Sequence, residues 1–317
     1  MQSEVSSLVM AVNVLNFILP GVCALVAVGW YTTVERKVLG YIMNRKGPNK
    51  VGYMGIMQPM SDGLKLFTKE VIVPSYSNKG PFVVVPVVSF FIALLVWFIY
   101  PYSTVEGLFG CSLLYFLVSA GMSMYSVVVA GWASNSKYAL LGAVRGVAQS
   151  VSFEVVMSLI LLSAAFSVGL LSLGYTKMWQ SGAMFVMVGL FTPFFFVWLV
   201  CILAESNRAP FDFVEGESEL VSGYNVEFSA GGFGLLYMTE YSGMLFNSLF
   251  SSAVYFGGSD LFVSIISIFF IFFYIWVRGT LPRYRYDLFM MLVWKSYLPL
   301  VLGGLFVVMG LISLSVC

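Results

Sequence analysis

Histidine is missing from all 317 residues. Its absence excludes a His-ligated haem and argues against zinc or copper centres, which draw heavily on imidazole. Cysteine is scarce. Cys23, Cys111, Cys201 and Cys317 are isolated, with no C-x-x-C pair, so an iron–sulfur cluster has no ligand set and no metal site is expected. Three of the four sit in or beside apolar runs, where Cys packs as a small hydrophobe. No G-x-G-x-x-G follows a strand-like run and no Walker motif occurs. Any redox cofactor is therefore expected on another chain. Charge is scarce as well: 10% of residues are charged and the net charge is +1, so the basic footprint of a nucleic-acid binder is lacking. The N-terminal MQSEVSSLVMAV has neither the basic start of a signal peptide nor the Arg-rich pattern of a transit peptide, so no cleaved targeting segment is expected.

What is abundant is apolar sequence: 60% of residues, with a mean hydropathy of +0.92. That places the chain in the membrane class. A span needs about 20 apolar residues, and eight runs qualify. They are Leu8–Tyr31, Phe82–Tyr100, Cys111–Trp132, Val147–Leu171, Ala183–Leu203, Phe233–Phe256, Leu261–Val277 and Val293–Leu314. The fold class expected is an all-α membrane protein of about eight transmembrane helices in one domain, 1–317. Fifteen of the sixteen basic residues fall in alternate connections; Lys177 alone lies in the other set. By the bias of Lys and Arg toward the inner face, those connections share one side and both termini lie opposite. The connections Pro101–Gly110, Ser172–Gly182 and Gly257–Asp260 are short and plain. Those on the basic side are long and carry Phe, Met, Leu and Tyr among their charges. They read as folded parts that dock outside the bilayer. No inverted repeat of the transporter type is visible, which weakens a carrier.

Charge near a bilayer is costly and is usually tied to function, so the candidate sites lie among the charges. In the basic loop 32–81, Glu35–Gly52 (ERKVLGYIMNRKGPNKVG) reads either as an anchor on the membrane surface or as a defined loop set by its G-P-N turn. There Arg36 points back toward a ligand or pairs with an acid. Ile56–Val71 follows. Ile56, Met57, Met60, Leu64, Phe67 and Val71 recur at helical spacing; Gln58, Ser61, Asp62, Lys65 and Lys69 take the other face. The segment is too short and too charged to span, so it is either a helix lying on headgroups or a gate with Asp62 and Lys65 at its polar end.

The acidic loop 204–232 lies within LAESNRAPFDFVEGESELVSGYNVE, Leu203–Glu227. It places Glu205, Asp212, Glu215, Glu217, Glu219 and Glu227 against Arg208. Glu205 and Arg208, three apart at a helix end, are expected to pair, and Pro210 to break that helix. The loop reads as a solvated acidic stretch or, because Phe211, Phe213, Leu220 and Val221 interleave, as half-buried carboxylates that titrate as a set. Glu154 and Glu240 fall inside spans, each a functional acid or a protonated one bonded to a neighbouring helix. Trp276–Lys295 (WVRGTLPRYRYDLFMMLVWK) reads as an anchor and docking surface or as a ligand contact.

These blocks, together with GWASNSKYALLGAVRGVAQSVSFEV, closely resemble the subunit 1 family of the proton-pumping NADH:ubiquinone oxidoreductase, respiratory complex I, over nearly the whole chain. The resemblance implies a subunit at the heel of the enzyme, forming the membrane end of the ubiquinone tunnel. It implies ubiquinone as substrate, with NADH, FMN and iron–sulfur clusters only in partner subunits. It implies as partners the peripheral-arm quinone-reducing subunits, the adjacent antiporter-like and small membrane-arm subunits, and membrane lipid. Carried over residue by residue, the tunnel takes Glu35, Arg36, Asp62, Lys65, Phe67, Arg208, Phe211, Glu215, Glu217 and Glu219. The proton relay takes Glu154, Glu205, Asp212, Glu217, Glu227 and Glu240. Some bacterial relatives of this family also carry an acid in the third span; Cys111–Trp132 has none, which leaves the relay near that helix in doubt. The expected location is the mitochondrial inner membrane with charged loops toward the matrix, the alternative a bacterial plasma membrane. The equivalent subunit of a membrane-bound hydrogenase and a stand-alone channel or carrier are the other functional readings.

Overall fold

The structure is a computed structural model, and it describes residues 2–100, 110–182, 192–214, 216 and 223–316, with side chains of residues 2–18, 181–182 and 315–316 left aside. Every regular element among them is helical. In chain order these are α1 Gln2–Ile42, α2 Gln58–Thr68, α3 Lys79–Val96 with a tighter turn at Trp97–Ile99, α4 Ser112–Ser134 and α5 Lys137–Val168. Then follow α6 Leu173–Gly182, α7 Thr192–Glu205, α8 Ala230–Tyr255, α9 Asp260–Thr280, α10 Tyr286–Leu292 and α11 Leu298–Val316, the last two joined by a π turn at Val293–Tyr297.

Among the described residues, five helical stretches are long and apolar enough to cross a membrane: Lys79–Ile99, Ser112–Ser134, Lys137–Val168, Asp260–Thr280 and Tyr286–Leu314. The difference from the eight expected runs has identifiable sources. Residues 183–191 lie outside the described residues, which leaves α7 short. The first run lies within one continuous helix, but the side chains of residues 2–18 are outside the description; with 41 residues α1 is about 60 Å long at a rise of about 1.5 Å per residue. It thus carries on well past Tyr31, and its last turns bear Glu35 and Arg36. α8 holds Glu240, Asn247 and four serines. It lies at the centre of the bundle, against α1, α2, α3, α6 and α9. A helix enclosed by others needs no lipid-facing apolar surface. Its hydroxyls turn back onto its own carbonyls, as in Ser248 to Leu245 (2.7 Å) and Ser251 to Asn247 (2.7 Å). No donor is therefore left bare in a medium without water.

Around α8 the core is aromatic. Phe116 stacks on Phe250 with centroids 4.1 Å apart, and Trp97 meets Phe246 edge-on at 5.8 Å. Small residues let α4 and α5 touch: a Cβ added at Gly131 would lie 2.4 Å from the Ala143 Cβ. Gly131→Ala is therefore expected to force the two helices apart, at about 1–3 kcal/mol. A lowered heat-inactivation temperature checks this.

One connection differs from the sequence reading. Ser172–Gly182, expected to be plain, contains α6. Its inward residues are Leu173, Thr176, Lys177 and Gln180, three of them polar, so no apolar face announces it. Lys177 is itself buried, paired with Asp260 at the start of α9 and lying 5.7 Å over the Tyr100 ring. The one basic residue outside the basic connections is thus neutralised in place. Of the connection Pro101–Gly110, residues 101–109 lie outside the described residues.

Candidate functional site

The charges gather where α1, α8 and α9 meet the loop after α7. Glu35, buried on the last turns of α1, is paired with Arg278 near the end of α9 and accepts a 2.5 Å hydrogen bond from the Tyr241 hydroxyl. Tyr241 and Tyr237, one turn apart on α8, join hydroxyls at 2.7 Å. The Arg208 guanidinium lies 4.7 Å from the Tyr241 ring centre and 5.4 Å from that of Tyr237. It also reaches Glu240 at 3.5 Å, with both side chains close to nine-tenths buried. A desolvated cation over two aromatic faces gains about 2 kcal/mol, which helps to hold Arg208 there. Tyr224 donates to the other Glu240 oxygen at 2.9 Å. Three helices and one loop thus contribute to a continuous polar chain: Arg278, Glu35, Tyr241, Tyr237, Arg208, Glu240, Tyr224.

Glu240 and Tyr224 open onto a cavity of about 130 Å³ between α3, α4, α8 and the end of α7. Its wall includes Glu205, Asn247, Thr239 and the hydroxyls Ser89, Ser119, Ser123 and Ser126. That space has room for several waters, with carboxylate, amide and hydroxyl groups to bind them. Glu205 accepts from Asn247 Nδ2 at 3.0 Å. Glu154 on α5 lies over Gly121 of α4, where an added Cβ would sit 2.8 Å from its Oε1.

The expected Glu205–Arg208 pair is replaced by two others. α7 ends at Glu205, and Asn207 turns through a left-handed conformation (φ 49°). Helical spacing no longer relates the two residues, and Arg208 swings to Glu240 while Glu205 faces Asn247. Arg36 pairs with Asp62 at 2.9 Å, Asp62 being held also by Gln58 at 2.9 Å. Lys65 lies on the same helix, α2, exposed. The apolar face of α2 is the outer one: Met60, Leu64 and Phe67 are exposed, while Pro59 and Leu66 approach Gly29 of α1 and Gly234 of α8.

Phe211 does not join the charged group. It is buried beside Phe289 (5.0 Å) and Phe153 (6.5 Å), and its carbonyl accepts from Gln149. Asp212 pairs with Arg283 at 2.9 Å, beside a second, basic pocket that includes Arg145 and Arg285. Glu227 accepts from the Tyr76 hydroxyl at 2.8 Å, and that bond to a carboxylate holds the phenol above the usual tyrosine range. Glu215, Glu217 and Glu219 lie outside the described residues.

Sequence reasoning missed Tyr237, Tyr241, Tyr224 and Asn247, and it gave Arg278 no partner. The spacing of Tyr237, Glu240, Tyr241 and Asn247 along one helix was the available signal.

Comparison with known proteins adds a further finding. A family model described as NADH dehydrogenase matches residues 15–309. The chain is similar to the NADH-ubiquinone oxidoreductase chain 1 of Heterololigo bleekeri, 50% identical over 303 residues, covering 93% of this chain and 95% of that protein. The protein of the same name from Aedes aegypti is 49% identical over 296 residues (91% and 92%), and that from Mytilus edulis 47% over 291 residues (92% and 95%).

Proposed function

This chain belongs to the NADH dehydrogenase family, and we propose that its polar chain and cavity link quinone reduction to proton movement within the oxidoreductase complex. The chain is a membrane subunit of NADH:ubiquinone oxidoreductase, as its relatives are named. It works as part of an enzyme and contributes no redox cofactor of its own. Electrons reach ubiquinone from partner subunits. Reduction to the quinol takes two electrons and two protons, so charge near the bound headgroup changes with each turnover.

The groups that sense this change are the Arg36–Asp62 pair under α2 and the buried Glu35–Arg278 pair. Arg278 and Arg208 offset the Glu35 and Glu240 charges. A proton arriving at, or leaving, Glu35 alters the bond it accepts from Tyr241. Tyr241 hands that alteration to Tyr237 through their shared hydroxyl bond, and to Arg208 through its ring. Arg208 in turn loosens or tightens on Glu240, which borders the cavity with Glu205. Water in the cavity carries protons between Glu240 and Glu205, and Glu154 extends the path between α4 and α5. The hydroxyls of Ser119, Ser123 and Ser126 stand where α4 has no acid. In sequence, Glu215, Glu217 and Glu219 follow Arg208 in the same acidic loop and are assigned to the quinone side of the path.

The single observation that supports this reading most is the unbroken set of contacts from Glu35 to the cavity. The exposed apolar face of α2, with Phe67, fits a lipid-side entrance for the quinone tail. The eight apolar runs are read as eight spans, α1, α7 with the residues before it, and α8 completing the set. The basic loops face the matrix of the mitochondrion and the peripheral arm, with both termini opposite.

The test is Tyr241→Phe, which keeps both the ring under Arg208 and the packing. It leaves the buried Glu35 without its hydroxyl donor, at about 1–3 kcal/mol, and is expected to slow quinone reduction about tenfold with assembly intact. Wild-type rates and proton yield in that variant would contradict the proposal.

A further inference from the structure

The cavity that holds Glu205 and Glu240 ends on a layer of rings. Each helix around it places an aromatic residue past its cavity residues, toward the end of the bundle away from the basic loops. On α8, Phe246 borders the cavity and Phe250 lies one turn beyond it. On α4, Phe116 comes before the hydroxyls of Ser119 and Ser123. α3 adds Trp97 just after Val96, and α7 adds Trp198 two turns before Glu205. None of the five is more than 6% exposed.

The rings touch one another across four helices. Phe116 stacks on Phe250 at 4.1 Å and lies 6.0 Å from Phe246. Trp97 meets Phe246 at 5.8 Å, and Trp198 meets Phe250 at 6.0 Å. A close-packed apolar layer offers water no partners and stays dry. Beyond it lies α6, tied down by the Leu173 amide on Ser112 Oγ (2.5 Å) and by Gln180 Nε2 on the Val254 carbonyl (3.4 Å). Here the Lys177 side chain is 9% exposed and that of its partner Asp260 52%. The ammonium is therefore the inner member of the pair.

We infer that the ring layer, backed by Lys177, is a proton barrier: it closes the cavity toward the charge-poor face, so that protons gathered at Glu205 and Glu240 leave toward Glu154 and not across this chain. The inference rests on the proton-carrying reading of the cavity above. A hydrophobic constriction stops ions by excluding water, and a fixed cation adds an electrostatic barrier behind it. A cavity of acids and water inside a coupling membrane needs such a stop, because a few more waters in line would discharge the gradient.

The test measures passive proton entry into vesicles that hold the whole complex, without NADH. Phe250→Asn puts a hydrogen-bonding group into the layer. The indole N–H groups of Trp97 and Trp198, which have no acceptor among the described residues, then bond the water that follows. Proton entry is expected to rise by on the order of tenfold. The membrane potential reached during turnover is expected to fall, while quinone reduction with uncoupler present keeps its wild-type rate. Phe116→Ser, on another helix, is expected to act alike. Phe250→Leu keeps the layer apolar at similar volume and is expected to stay tight. Wild-type tightness in both polar variants overturns the inference. So does an equal leak in Phe250→Leu, which assigns the leak to loosened packing. Because the leak is read without electron transfer, either result leaves the Tyr241→Phe outcome, and the relay it tests, untouched.

Discussion

Arg208→Met is expected to remove coupled activity and to destabilise the assembled complex by on the order of 3–5 kcal/mol. The figure follows from what the guanidinium leaves behind. Glu240 is nine-tenths buried, and without its cation it stands as an uncompensated charge beside a small cavity. It must then take up a proton or draw water inward. Methionine fills the space over Tyr237 and Tyr241 with similar volume, so the loss reports charge rather than a void. Arg208→Lys separates the two parts of the role: the charge stays, the planar face over the rings goes. That variant is expected to assemble and to keep a reduced rate. Heat inactivation of quinone reduction in isolated membranes reads both. Full stability in Arg208→Met would mean that the Glu240 pair is not formed in the working enzyme.

Glu205→Gln is expected to assemble normally and to lose quinone reduction coupled to proton transfer by on the order of 10²-fold, the scale of losing one positioned proton carrier. The side chains match in volume, and Gln still accepts from Asn247, so the local geometry survives while the exchangeable proton is gone. A purely structural role would leave the pH profile of the remaining activity unchanged; a carrier role removes one of its limbs. Glu217→Gln is expected to act in the same direction. Unchanged coupled activity in both variants would count against a relay through this loop.

How far the sequence reached can be judged from particular residues. Glu35, Arg36, Asp62, Arg208, Glu205 and Glu240 stand out in the sequence because charge is rare in so apolar a chain and expensive beside lipid. Their pairings do not. Arg208 was matched to Glu205 by helical spacing, a rule that stops where Asn207 leaves the helix. Arg278 meets Glu35 across 243 positions, and no local pattern encodes a contact of that separation. The tyrosines were overlooked for a different reason. In a chain with eighteen of them, a tyrosine in an apolar run is read as packing, and only the fold shows Tyr237 and Tyr241 bridging two ion pairs. α8 illustrates the converse. Its serines, Glu240 and Asn247 lower its hydropathy, yet these are the groups that let it sit at the centre of the bundle. Phe211, assigned to the tunnel by resemblance, packs in the aromatic core beside Phe289, a contact that its place in an acidic loop does not announce.

The central claim is that redox change at the quinone is felt as protonation change in the cavity acids. Infrared difference spectra of the complex, oxidised minus reduced quinone, test it most directly. A carboxyl C=O band that appears on reduction, and is absent in Glu205→Gln and shifted in Tyr241→Phe, is the result expected. Spectra in which both variants match the wild type would contradict it.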